Sequence, residues 1–228
     1  WNESQKLRNG FFKALKDKPW LSSFDTISPN KIDILFLAKQ AGLCIPATCI
    51  TSSKNEILKF LNQYGRAITK SISDSEIFKY NSVAYMQYTK EVTADLLENY
   101  NEQMYACLLQ EMIEKEIEIR TFYLHGRCYS MAIFSQLDEQ TSIDFRKYNN
   151  ETPNRTVPFQ LPTDIEEKIQ AFMQLANLDT GSLDIILSKD GRYVFLEVNP
   201  VGQYGMTSIP CNYFLDKEIA QWLIKPVN

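Results

Sequence analysis

The stretch GRYVFLEVNP, residues 191–200, decides the fold. Val194, Leu196 and Val198 alternate with Tyr193, Phe195, Glu197 and Asn199, the two-residue period of a strand that buries one face. The preceding GSLDIILSKDG, residues 181–191, is equally strand-like and ends in Asp190-Gly191, a two-residue hairpin signal. If those two residues form the loop, Asp184 lies opposite Glu197 and Ser182 opposite Asn199. Leu183, Ile185 and Leu187 then fall on the other face with Val194 and Leu196, as a core requires.

Directly opposed side chains have Cβ atoms about 4.5–5.5 Å apart, and two like charges at that spacing destabilise the pair unless something positive intervenes. Two carboxylates and a carboxamide, Asp184, Glu197 and Asn199, form an oxygen-only set that suits Mg²⁺, a cation that takes its further ligands from water and nucleotide phosphates. The alternative is that both acids point to solvent at a sheet edge or pair with Lys and Arg.

The rest of the chain is that of an ordinary globular protein. It has 228 residues, 44% hydrophobic and 23% charged, enough for one large domain or two smaller subdomains. A net charge of -4 argues against a nonspecific nucleic-acid binder, which needs a basic face for phosphates. No apolar run approaches the roughly 20 residues of a membrane span, and WNESQKLRNG lacks a signal-peptide core. Cys44, Cys49, Cys107, Cys128 and Cys211 are scattered without a CxxC pair and read as reduced, mostly buried thiols of a cytoplasmic protein. His125, the single histidine, precedes Gly126 and reads as a turn residue.

Helical and strand-like segments alternate. SPNKIDILFLAKQA, 28–41, predicts a helix stopped by Gly42. Ser53 and Glu56 predict a capping box for a second helix, ended by Gly65, after which RAITKSI, 66–72, reads as a strand. Residues 91–104 are predicted helical and CLLQEMI, 107–113, a strand. EIEIRTFYL and RCYSMAIFS flank His125-Gly126 as a hairpin, and residues 136–162 read mostly as loop. Thr163 and Glu166 predict another capping box, opening a helix with Ile165, Ile169, Phe172 and Met173 inward. In Glu116-Ile117-Glu118-Ile119-Arg120 the charged residues alternate with isoleucines, so Glu118 and Arg120 share a face, either as a surface ion pair or as parts of a site.

Asp184, Gly191 and Glu197-Val198-Asn199-Pro200 resemble the C-terminal signature of ATP-grasp ligases. Blocks including NKIDILFLAKQAGLCIPATCIT, QEMIEKEIEIRTFYLHGR, DFRKYN and FLEVNPVGQYGMTS extend the resemblance over nearly the whole chain, in particular to the graspetide synthetases of grasp-with-spasm type. The resemblance implies an α+β ATP-grasp fold, two subdomains with antiparallel sheets clasping a nucleotide. It also implies a division into a remnant or linker at 1–30, a central subdomain at 31–112 and a C-terminal subdomain at 113–228, with a preceding N-terminal domain missing.

It further implies ATP and Mg²⁺ as cofactors, with Asp184, Glu197 and Asn199 on the metal. Lys31 and Lys70 match the nucleotide-phosphate lysines, although each alone would pass for a solvated surface charge. Gln110, Glu111, Met112 and Ile113 match the segment that meets adenine, while Met112 and Ile113 would equally suit plain core. Glu118 matches the acid on the ribose hydroxyls, and Arg120 and Arg146 match arginines near the transferred phosphate. A glycine-rich lid after the second lysine is lacking, and Ser71, Ser73 and residues 88–93 are the candidates to replace it.

The implied partner is a ribosomal precursor peptide, leader and core, the implied location cytoplasmic, and the assembly suggested by relatives a homodimer. The implied activity joins side chains of that peptide, activating Asp or Glu as an acyl phosphate and forming an ester or amide. Two alternatives remain: a RimK-like amino-acid ligase, and a leader-peptide-binding module without activity.

Overall fold

A computed structural model describes residues 2–18, 20–23, 26–72, 78–81, 83–85, 88–137 and 153–224. In chain order the elements are helices α1 (Asn2–Ala14) and α2 (Lys31–Gln40), strand β1 (Thr48–Ser53), α3 (Lys54–Tyr64), β2 (Ala67–Lys70), β3 (Phe78–Tyr80), β4 (Val83–Tyr85), β5 (Lys90–Val92), α4 (Ala94–Glu98), β6 (Gln103–Glu111), β7 (Lys115–Leu124), β8 (Arg127–Ile133), β9 (Thr156–Phe159), α5 (Thr163–Leu175), β10 (Thr180–Ser188), β11 (Tyr193–Asn199), α6 (Gly205–Cys211) and α7 (Leu215–Leu223). The strands build a four-stranded sheet, β1-β6-β2-β5, a five-stranded sheet, β11-β10-β7-β8-β9, and the β3-β4 ribbon. All the strand pairs are antiparallel. Among the described residues no helix is long and apolar enough to cross a membrane.

The larger sheet carries the main core. Ile117, Ile119 and Tyr123 of β7 join Leu183, Ile185 and Phe195 beneath α2 and α5, which contribute Ile34, Leu35, Ala38, Ile169, Phe172 and Met173. The inward set predicted for α5 is therefore found, with Ile165 partly buried at its margin. On the opposite face, Phe122 and Leu124 meet Leu215 and Ile219 of α7, so that half of this face is roofed. The other half is left for the cleft described below. In the smaller sheet, Ile57 and Phe60 of α3 pack on Ala67, Val92 and Leu109.

Several local expectations fail for identifiable reasons. Ser53 is the N-cap of α3 but its side chain makes no cap bond, because Glu56 turns forward to Lys59 at 2.7 Å and the capping box never closes. The α5 cap is Pro162 rather than Thr163, and Glu166 accepts from Gln160 at 2.7 Å. Only 94–98 of the predicted 91–104 helix is helical; Val92 instead pairs with Ala67 and Glu91 with Ile68 in the sheet. Within 136–162, residues 156–159 form edge strand β9, where Pro158 is tolerated because it lies on the sheet margin. All five cysteines are free, but only Cys211 is fully buried. His125 (φ +42°) and Gly126 (φ +87°) make the β7–β8 turn, both in the left-handed conformation of a tight hairpin.

Candidate active site

The β10–β11 hairpin brings Asp184 opposite Glu197 and Ser182 opposite Asn199, as predicted, but by a different route. Leu187 pairs with Tyr193, and Ser188 N–H donates to Arg192 O at 2.9 Å, so the loop is 189–191 rather than Asp190-Gly191 alone. Left uncorrected, that widening would slip Asp184 past Glu197. A bulge between Asp184 and Ile185 takes up Leu196 as the extra residue and restores the register. The two offsets cancel. Their consequence is that the faces differ from the simple alternation: Tyr193 and Phe195 join the core with Leu187 and Ile185, whereas Val194 and Leu196 turn to the cleft side with Ile113 and Ile186.

Strand β7 lies on the other side of β10 and adds its own charged face. Arg120 is opposite Asp184 and Glu118 opposite Ile186. Arg120 is 5% exposed and donates from Nη1 to Asp184 Oδ1 at 2.5 Å. A basic side chain thus meets one of the two facing acids, as one alternative required, and Glu197 remains beside it. Burial pushes the Asp184 carboxyl up to about 6; Arg120 opposes that rise and Glu197 adds to it. The floor of the cleft thus gathers three acids, Glu118, Asp184 and Glu197, with Lys70, Lys115 and Arg120 among them.

Glu118 is held more firmly than the strand pattern alone suggests. Its Oε1 accepts from Lys115 Nζ at 2.7 Å and from Ser135 Oγ at 2.6 Å, with the Lys115 and Glu118 side chains 6% and 9% exposed. Lys115 escapes a period-two analysis because the β7–β10 register shifts between Leu187 and Ser188, which turns Lys115 onto the Glu118 side. Its only sequence signal is a lysine three residues before a glutamate in a strand that otherwise alternates.

Two adjoining cavities, about 80 and 410 Å³, open between the sheets and share Lys70, Leu196 and Glu197. The first is lined by Gln110, Glu111, Met112 and Ile113 at one end and by Glu118, Asp184 and Glu197 at the other. The second holds Lys31, from the first turn of α2, together with Asn199. Met112 N–H is tied to Arg66 O at 3.0 Å and Glu111 N–H to Ala47 O at 3.0 Å, so this segment is fixed between β1 and β2. Asn199 Oδ1 accepts from Val201 N–H at 3.1 Å and Gly202 N–H at 3.4 Å, which sets the turn after β11. Of the predicted residues, Arg146 and the lid residue Ser73 lie outside the described residues. Among the described residues no three His, Cys, Asp or Glu side chains converge as a metal cluster.

No family profile matches the chain, and no curated protein does. Solved structures do. A RiPP-associated ATP-grasp ligase from Chryseobacterium gregarium, in complex with ADP and a leader and core peptide, is 26% identical with a TM-score of 0.87, over 97% of this chain and 68% of that one. Macrocyclase MdnC from Microcystis aeruginosa, bound with precursor peptide MdnA, is 25% identical with a TM-score of 0.80, over 96% and 69%. Macrocyclase MdnB from the same organism is 27% identical with a TM-score of 0.73, over 99% and 69%. The ATP-grasp ligase PsnB, solved with a minimal precursor, Mg and ADP, shares the fold at 18% identity. With two antiparallel sheets facing a charged cleft and these likenesses, the chain has an ATP-grasp fold and is similar to RiPP-associated ATP-grasp ligases and macrocyclases.

Proposed function

We propose that the chain uses ATP to activate Asp or Glu side chains of a ribosomal precursor peptide as acyl phosphates and to link them, as esters or amides, to Ser, Thr or Lys side chains of the same peptide. The observation that carries this is the meeting in one cleft of Lys70, Glu118, Asp184 and Glu197 with the segment 110–113. The base would lie along Gln110–Ile113, the ribose near Glu118, and the phosphates toward Lys70 and Lys31. Ammonium groups from two separate elements would offset a polyphosphate from two sides. The domain division at 30/31 and 112/113 belongs to the same proposal, with residues 112–114 as the link between β6 and β7.

The donor set fits Mg²⁺. Asp184 and Glu197 would be oxygen ligands on facing strands; the rise in Asp184 comes first from burial, and Glu197 adds to it. Asn199 would be the third ligand, with its Oδ1 shared with the turn it caps. When bound, the cation neutralises phosphate charge and aligns the terminal phosphoryl group. The chain's own part is positional: Arg120, anchored on Asp184, presents a fixed guanidinium near the transferred group, and Arg146 is assigned the same neighbourhood. A peptide carboxylate attacks the γ-phosphate in line, ADP leaves, and a hydroxyl or amine then displaces phosphate from the acyl carbon. Such a transfer is served by positioning and electrostatics, so it needs no protein nucleophile.

The test is ADP release with a precursor peptide and Mg²⁺, for wild type and Glu197→Ala. A fall of at least about a hundredfold is expected for loss of a charged group that organises the transferred phosphates; equal rates would remove the assignment. Mass spectrometry of the product separates the chemistry: loss of one water per link marks internal cross-linking, and a gain of residue mass marks amino-acid addition.

A further inference from the structure

Glu118 stands on β7 between Ile133 of β8 and Ile186 of β10, neighbours whose side chains offer its carboxylate no donor. Arg120, two residues along the same face, donates to Asp184. The charge of Glu118 is met instead from outside that row, by Lys115 Nζ at 2.7 Å and by Ser135 Oγ at 2.6 Å, the latter from the short 3₁₀ helix Ser135–Leu137 that follows β8. All three residues are buried. Lys115 is itself fixed through the backbone, since it pairs with Ser188 across the register shift and the preceding Glu114 O accepts from Lys189 N–H at 2.9 Å.

Both donors meet the same oxygen, Oε1. The terminal torsion of a glutamate is broad and roughly two-fold, so an untethered carboxylate turns readily. A carboxylate oxygen has about two lone-pair sites, and two donors fill Oε1; turning the group would break both bonds. The other oxygen, Oε2, takes no hydrogen bond among the described residues, and Glu118 lines the cleft. Oε2 is therefore the oxygen left for a ligand.

Resting on the reading that the cleft takes ATP with its ribose near Glu118, we propose that Lys115 and Ser135 are positioning residues for the sugar. By filling Oε1 they hold Oε2 as a fixed, charged acceptor, and they thereby set how strongly the site prefers a sugar that carries hydroxyls over one that does not. Two physical effects combine. A carboxylate ordered before the ligand arrives loses little freedom when the hydroxyl bond forms, so more of the bond appears as affinity. A site built to hydrogen-bond a hydroxyl also rejects an analogue lacking it, because the acceptor is then left without a partner in a closed cleft. Neither Lys115 nor Ser135 needs to touch the nucleotide for this; each acts through Glu118.

The experiment is calorimetric titration, in Mg²⁺ buffer, of wild type, Lys115→Met and Ser135→Ala with ATP and with 2′,3′-dideoxyadenosine triphosphate, which keeps the base and phosphates and lacks both hydroxyls. Wild type should bind ATP at least about tenfold tighter than the dideoxy analogue. Lys115→Met should bring that ratio to within about threefold, and Ser135→Ala should lower it by at least about threefold, in each case through weaker ATP binding with the analogue little changed. Ser135→Ala removes a neutral donor and leaves the ion pair in place, so it carries the test if Lys115→Met does not fold. The ratio is the decisive quantity, since a merely structural role for either residue would weaken both ligands in parallel. A ratio unchanged in the folded variants would overturn the positioning role while leaving Glu118 on the sugar. Equal wild-type affinities for the two ligands would remove the sugar contact, and the positioning role with it, while leaving the nucleotide cleft standing. Failure of wild type to bind either ligand would overturn the nucleotide reading as well.

Discussion

Replacing Lys115 by Met tests whether the acid assigned to the ribose is held by a buried ion pair. Lys115 and Glu118 are 6% and 9% exposed and 2.7 Å apart. Removing one partner of such a pair typically costs about 3–5 kcal/mol, because the remaining charge stays buried without its counterpart. Ser135 still donates to Glu118 at 2.6 Å, which retains part of the stabilisation, so we expect about 2–4 kcal/mol for Lys115→Met. Glu118→Leu alone removes the carboxylate to which Lys115 donates and should also be destabilising. The double variant should recover most of the loss, since an apolar pair of similar volume is often neutral or better in such a site. With a urea m-value of about 2–3 kcal/mol/M, Lys115→Met lowers the unfolding midpoint by about 1 M. The assay is urea unfolding of the four proteins at pH 7, followed by circular dichroism, repeated in high salt, where a buried pair should be little affected. If the two single losses add in the double variant to within about 0.5 kcal/mol, the pair is not coupled and the argument for a pre-set Glu118 fails.

Three further outcomes follow from local geometry. Gly202 has φ +63°, and an added Cβ would stand 3.0 Å from Phe122 Cε2, so Gly202→Ala should lower the melting temperature by about 5–10 °C; no change would refute the close packing of this turn. Burial pushes the Cys128 thiol up to about 12, so at pH 8 its thiolate fraction is on the order of one in ten thousand; iodoacetamide followed by peptide mapping should find it unlabelled, and labelling as fast as a free small thiol would contradict that. The Asp184 carboxyl is raised by burial to about 6 in the fold, so the folded state binds this proton more tightly than the unfolded chain does. In EDTA the metal-free protein should therefore lose about 3 kcal/mol at this site as pH rises from about 4 to about 6, with the penalty fully present above that range. Asp184→Asn should flatten this segment of the stability curve, and an unaltered slope would show that another group produces it.

Elements whose pattern is local were legible from the residues alone: the α5 face, the His125-Gly126 turn, the Glu118–Arg120 alternation and the two acids on adjoining strands. Each depends on a period of 2 or 3.6 and on a turn signal, which neighbouring residues set among themselves. The sequence also carried enough family pattern to assign the ATP-grasp fold. Tertiary structure alone decided how those acids come to face each other. A longer loop and a compensating bulge are selected by the core, where Phe195 packs at a tilt of 54° against Phe172, ring centroids 4.9 Å apart, with both rings fully buried; Leu196, the residue that period-two logic buries, is displaced to the cleft. The same holds for Lys115, turned by a second register shift, and for the carboxamide of Gln110, oriented by a hydroxyl 62 positions away in sequence. Bulges and long-range hydrogen bonds follow from how whole sheets pack, and the residues that make them leave no periodic mark along the chain.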